Sequence, residues 1–84
     1  MEEEYDIKED IDIGPDSTII GVIEPDYPGG DAIVVSVSIF KERKGVDIRR
    51  FYYGKDERYH PTQKGVRVGV EDAGHLAELI KKAE

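Results

Sequence analysis

Residues 32–53 read AIVVSVSIFKERKGVDIRRFYY, two apolar runs on either side of a charged stretch. Both runs alternate with a period of two, so the segment predicts a β-hairpin with strands at Ala32 to Phe40 and Val46 to Tyr53 and a turn at Glu42 to Gly45. In the first strand Ile33, Val35, Val37 and Ile39 share one face, expected to be core. Val34, Ser36, Ser38 and Phe40 share the other, which is half polar and expected to be accessible. Rings and cations interleave from Phe40 to Tyr53, and that pairing is how proteins hold single strands: bases stack on rings while cations follow phosphates. Phe40 and Tyr52 are expected on a shared surface, whereas Phe51 and Tyr53 have the opposite parity to Tyr52.

Working outward, Thr18 to Ile23 reads as a strand closed by Pro25, followed by a Pro- and Gly-rich loop at Asp26 to Asp31. Gly54 to Thr62 reads as a polar loop and Gly65 to Val70 as a last strand. From Glu71 to Ala83, Ala73, Leu76, Ala77 and Ile80 recur at helical spacing, with acids at the start and lysines at the end to suit the macrodipole. Residues 1–16 are acidic, yet Tyr5, Ile7, Ile11 and Ile13 all fall on odd positions, which fits either an edge strand or an unstructured acidic arm. Residues 17–84 form the domain proper. The order predicts an α+β fold, an antiparallel sheet of four or five strands followed by one C-terminal helix.

The chain has 84 residues, no cysteine and a formal charge of −7. A domain this small has a thin core, and with neither disulfides nor metal to reinforce it a two-fold dimer is expected. No apolar run approaches the ~20 residues of a membrane span, and no basic-then-apolar leader opens the sequence. An intracellular protein without a membrane partner is therefore expected. The net charge hides an asymmetry: residues 1–31 carry −10, whereas residues 33–68 carry +5. Local charge sets what a surface binds, so Lys41, Arg43, Lys44, Arg49, Arg50, Lys55, Arg58, Lys64 and Arg67 are candidate phosphate contacts. Scattered basic residues are ordinarily a solvated surface and strand aromatics ordinarily pack across strands; the clustering on one hairpin favours the ligand reading.

Catalysis finds little support. His60 and His75 are fifteen residues apart with no thiol, and Ser17, Ser36 and Ser38 lack a nucleophile-elbow frame. Asp10, Asp12 and Asp16 faintly suggest a calcium loop, but glycine occupies its fifth and twelfth positions, Gly14 and Gly21. No cofactor and no enzymatic activity are expected.

Phe40-Lys41-x-Arg43, then Val46-Asp47-Ile48-Arg49-Arg50-Phe51-Tyr52, then His60-Pro61-x-x-Lys64-Gly65-Val66 together resemble the family of the transcriptional coactivator positive cofactor four. The family's pattern is Phe-Lys-Gly-Lys, a Val/Ile-Asp-Ile-Arg strand, and Lys-Pro-x-x-Lys-Gly-Ile/Val before a final helix. The match runs from about Val35 to Val68. The resemblance implies a curved four-stranded antiparallel sheet and a helix, paired as a dimer, that binds single-stranded or melted DNA with little sequence preference. It also implies that Phe40 and Tyr52 stack on bases, with Lys41, Arg43, Arg49 and Lys64 around the groove. His60 stands where the family usually has lysine, Gln63 replaces a common basic residue, and Tyr52 is a smaller platform than the frequent tryptophan.

The sequence thus predicts non-catalytic, largely sequence-independent single-stranded DNA binding as a homodimer, in support of transcription regulation or of replication and repair. Its candidate contacts are Phe40, Lys41, Arg43, Lys44, Arg49, Tyr52, His60 and Lys64. Single-stranded RNA remains an alternative ligand, because stacking on rings does not read the 2′-hydroxyl. A module docking on a transcription-machinery protein is the alternative from another class. The acidic N-terminal segment is expected to compete for the basic groove at low salt.

Overall fold

The computed structural model describes residues 7–84, which leaves Tyr5 outside the described residues. One 3₁₀ turn (Ile7–Asp10) precedes strands β1 (Ser17–Ile23), β2 (Ala32–Phe40), β3 (Arg43–Tyr53) and β4 (Tyr59–Gly69), and helix α1 (Val70–Lys81) ends the chain. The strands form one sheet in the order β1-β2-β3-β4, every neighbour antiparallel. The expected α+β architecture is therefore present, with four strands.

The β2–β3 hairpin pairs without a break from Ala32↔Phe51 to Phe40↔Arg43. Only Lys41 and Glu42 remain for the turn, at φ 51° and 63°. Two central residues with positive φ are the mark of a type I′ turn, whose twist matches that of the strands it joins. The predicted turn at Glu42 to Gly45 is thus too long: Arg43, Lys44 and Gly45 belong to β3. Glu42 sits where the family pattern has glycine, so the turn carries left-handed strain that glycine would relieve.

The predicted loop at Gly54 to Thr62 is also too long, because β4 begins at Tyr59 and the connection spans only residues 54–58. A bulge hid the strand. Between the pairs Arg49↔Gly65 and Phe51↔Pro61, β3 uses one residue and β4 uses three, Thr62 to Lys64. Thr62 stitches this bulge: its Oγ1 donates to the Arg50 carbonyl (2.7 Å) and accepts from the Lys64 N–H (3.1 Å). Gly65 then passes so close to β3 that a Cβ would lie 2.7 Å from the Ile48 carbonyl oxygen and 2.9 Å from the Arg49 Cα. The Pro-x-x-Lys-Gly motif is a bulge and a close approach.

Register assigns every side chain to a face. Ala32, Val34 and Ser36 of β2 share one face with Asp47, Arg49 and Phe51 of β3 and with Tyr59 and Arg67 of β4. The core lies here, a cluster of Ile7, Ile11, Ala32, Val34, Phe51 and Tyr59. This reverses the expected assignment, since Ile33, Val35 and Val37 are only half-buried and Ile39 is 61% exposed. The reason is the N-terminal segment. Ile7 and Ile11 cover the even-numbered face of β2, and Ile11 bridges to Tyr59 in parallel while the Asp12 N–H donates to the Tyr59 carbonyl at 2.8 Å. Of residues 1–16, the described part, residues 7–16, holds a 3₁₀ turn and a single parallel bridge to β4. Helix α1 mainly touches β3 and β4, and none of its side chains is buried. The described residues thus leave the odd-numbered face of β2 half-buried, and exposed at Ile39.

Two substitutions test these constraints in urea unfolding. Glu42→Gly is expected to stabilise the protein by about 0.5–1 kcal/mol by relieving the left-handed turn. Gly65→Ala is expected to cost about 1–3 kcal/mol, because backbone rather than a mobile side chain blocks the added methyl.

Candidate nucleic-acid interface

The β2–β3 hairpin tip gathers Phe40, Lys41, Arg43 and Lys44. The Phe40 ring is 62% exposed because β2 ends there, and the Lys41 Nζ stands 5.4 Å over its centroid. Cation and ring are held as a unit by the two-residue turn. Among the described residues Arg43 and Lys44 form no side-chain ion pair, so both are available to an anion. Phe40, Arg43, Lys44 and Arg67, with the start of α1, line a cleft of about 360 Å³. Arg67 is fixed across the sheet: its guanidinium donates to Ser38 Oγ, to the Ser38 carbonyl (3.1 Å) and to the Arg43 carbonyl (3.2 Å).

The second group lies at the far end of the hairpin. Tyr52 is 47% exposed and its ring is 5.4 Å from that of His60, its cross-strand neighbour. Lys64 is exposed on the β4 bulge. Of the other two rings on β3, Phe51 is in the core and Tyr53 packs on Tyr59 with centroids 5.0 Å apart.

The structure does not bring Phe40 and Tyr52 together within one chain. Tyr52 is nine positions along β3 from Arg43, which pairs with Phe40, roughly 30 Å at the rise of an extended strand. Register also places them on opposite faces, Phe40 with Ser36 and Ser38, Tyr52 with Ile48 and Arg50. The expected shared surface is absent from the single chain because a period of two gives an even position on β2 and an even position on β3 opposite parity in this register.

Arg49 is placed between the two groups but is fully engaged. Its Nε and Nη2 fork onto Asp47 at 3.0 and 2.9 Å, and Nη1 donates to the Thr62 carbonyl at 3.0 Å. The Asp47 hydrogen bond is the main reason the guanidinium is held protonated even more firmly than usual. This geometry braces the bulge. His60 is also engaged: Nε2 lies 2.8 Å from Asp56 Oδ2 and Nδ1 lies 3.4 Å from Asp12 Oδ2. Its imidazole is raised from its ordinary value, chiefly by hydrogen bonding to Asp56, and the Asp56 carboxyl is lowered by the same bond. Burial pushes the Tyr59 hydroxyl up. Sequence reasoning missed Thr62, Ser38 and Asp12 as partners of the basic residues, because each comes from a different strand or segment and only the register reveals it. Among the described residues no group of acids and histidines could hold a metal, and no helix is long and apolar enough to cross a membrane.

Residues 28–79 match the profile of the family described as Transcriptional Coactivator p15 (PC4). The fold is similar to the crystal structure of a PC4 homolog from Burkholderia pseudomallei, with a TM-score of 0.73 over 86% of this chain and 95% of that one, at 18% identity. No curated protein sequence matches the chain.

The roles read from these contacts differ measurably. Arg49→Ala leaves Asp47 and the Thr62 carbonyl unpaired and is expected to cost about 1–3 kcal/mol of stability in chemical denaturation. Arg43→Ala and Lys44→Ala are expected to stay within about 0.5 kcal/mol of the parent.

Proposed function

The chain belongs to the transcriptional coactivator p15 (PC4) family, and from that premise we propose that it binds single-stranded DNA as a homodimer, without catalysis, in support of transcription. Membership gives the general nucleic-acid-binding, coactivator role; the strand preference and the pairing are our reading. The observation that carries it is the tip cluster. An exposed ring, a lysine over it and two cations without an ion-pair partner among the described residues gather at the tip, on Phe40, Lys41, Arg43 and Lys44. Duplex bases are stacked inside the helix and offer no face to such a ring, whereas a single strand does. Tyr52, beside His60, supplies a second exposed ring at the other end of β3, and Lys64 a further exposed cation on the β4 bulge.

Pairing is supported by the uncovered sheet face. Ile23, Ile39 and Val66 are 63%, 61% and 52% exposed, with half-buried Ile33, Val35, Val37 and Ile48 between them. A face this apolar is an interface candidate, and a second copy offers the matching surface through a two-fold axis. The protein is expected to sediment as a dimer. Ile39→Glu with Val66→Glu is expected to give monomers, and a wild-type monomer at ~50 μM would rule out the pairing, since contacts that matter for a small core hold well below that range.

Polarisation titrations with labelled oligonucleotides test the ligand. Single strands are expected to bind more tightly than duplex, with a log–log salt slope of about −0.7 per phosphate engaged. Phe40→Ala and Tyr52→Ala are each expected to lose about 1–3 kcal/mol of affinity in a folded protein. Absence of binding to either form at low salt would end the proposal, and tighter binding to RNA of the same sequence would reassign the ligand.

A further inference from the structure

Residues 7–16, which the family profile does not reach, carry four acids and one base. They lie on the arginine-bearing face of the sheet. Ile7 and Ile11 are buried against Ala32, Val34, Phe51 and Tyr59. Beyond that anchor Asp12, Ile13 and Gly14 line one cleft of about 200 Å³ with Asp47, Arg49 and Arg67. Gly14, Pro15 and Asp16 line a second cleft with Phe40 and Arg67, so the segment reaches the ring of the tip cluster. The segment is also tied at its middle, because His60 has a carboxylate at each ring nitrogen, Asp12 at Nδ1 and Asp56 at Nε2.

We infer that residues 7–16 are an acidic strap occupying the arginine face in competition with single-stranded nucleic acid, and that His60, held between Asp12 and Asp56, is its clasp. The inference rests on the nucleic-acid reading above. A neutral imidazole has one N–H and one lone pair, so only the cation donates to both carboxylates. The groups facing His60 are Asp12 from the strap, Asp56 from the β3–β4 connection, whose Oδ1 also accepts the Arg58 N–H, and the Tyr52 ring from β3. Because those partners raise the imidazole pKa, the clasp is complete below the unfolded imidazole value and is lost as pH rises through the raised folded one. The strap therefore loosens towards higher pH, and affinity for single strands rises. A histidine that merely touched phosphate would do the opposite, since losing its charge weakens binding.

The test uses the full chain and labelled oligothymidylate, because removing residues 1–16 would strip Ile7 and Ile11 from the core. At ~50 mM salt, Asp10→Asn/Asp12→Asn/Asp16→Asn is expected to bind about fivefold to tenfold more tightly than wild type, a gain that shrinks at ~200 mM as the charges are screened. Wild-type affinity is expected to rise about twofold to threefold from about pH 6 to about pH 8, where imidazole titrates, and Asp12→Asn is expected to flatten that rise. Bound oligothymidylate is expected to speed hydrogen exchange at the Asp12 amide. If Asp12→Asn loosens the fold, the Asp10→Asn/Asp16→Asn pair isolates the charge effect with the clasp intact. Equal affinity of wild type and variants, or binding without faster Asp12 exchange, overturns the strap and leaves the proposed function standing. Binding by the neutralised variant alone supports the strap strongly, whereas no binding by either defeats both readings.

Discussion

The two-residue turn at Lys41 and Glu42 decides most of this structure. A type I′ turn admits one register for the strands it joins, and here that register aligns Phe40 with Arg43 and Ala32 with Phe51. Side chains alternate along each strand, so a slip by one residue would exchange the faces of β3. Phe51 would leave the core, and the Asp47–Arg49 fork would turn away from Thr62. The chain keeps this turn although neither central residue is glycine, which places left-handed strain beside the basic cluster. Unbroken pairing along the whole of β2 offsets it.

Fixing the faces created two needs, and the sequence meets them differently. The face holding Val34 and Phe51 has too few apolar side chains of its own, and Ile7 and Ile11 complete it from outside the sheet. The opposite face has apolar side chains in plenty, and the described residues of the chain leave them half-buried or exposed. The proposed pairing would answer this second need, since apolar surface left in water forgoes about 25 cal/mol for every Å² left unburied.

The hairpin, the first strand and the helix were legible because each is a local periodicity bounded by turn residues. The four-strand architecture followed from their order. What was not legible depended on partners distant in sequence. Counting apolar residues put the core behind Ile33, Val35, Val37 and Ile39, since nothing local said that Ile7 and Ile11 would cover Val34. The start of β4 was masked because Thr62 to Lys64 break the alternation, and the bulge is satisfied by a threonine and an arginine that read as polar loop and phosphate contact. Family likeness located the rings and cations but not their relation, which register alone gives.

That relation bears on how such a surface works. Phe40 and Tyr52 are roughly 30 Å apart along β3 and face opposite ways, so one chain presents two separate exposed rings rather than one groove. A single strand engaging both would have to cross an edge of the sheet, past β1 or past the bulge of β4. Bringing a second chain against the bare apolar face changes this, because a two-fold axis sets copies of both sites around the pair. Association and ligand engagement are then linked through one surface: the apolar face that a lone chain cannot cover also bears Tyr52. On the proposed pairing, covering that face would place Tyr52 at the interface or on its rim, so the exposure of this ring and the strength of pairing would be coupled.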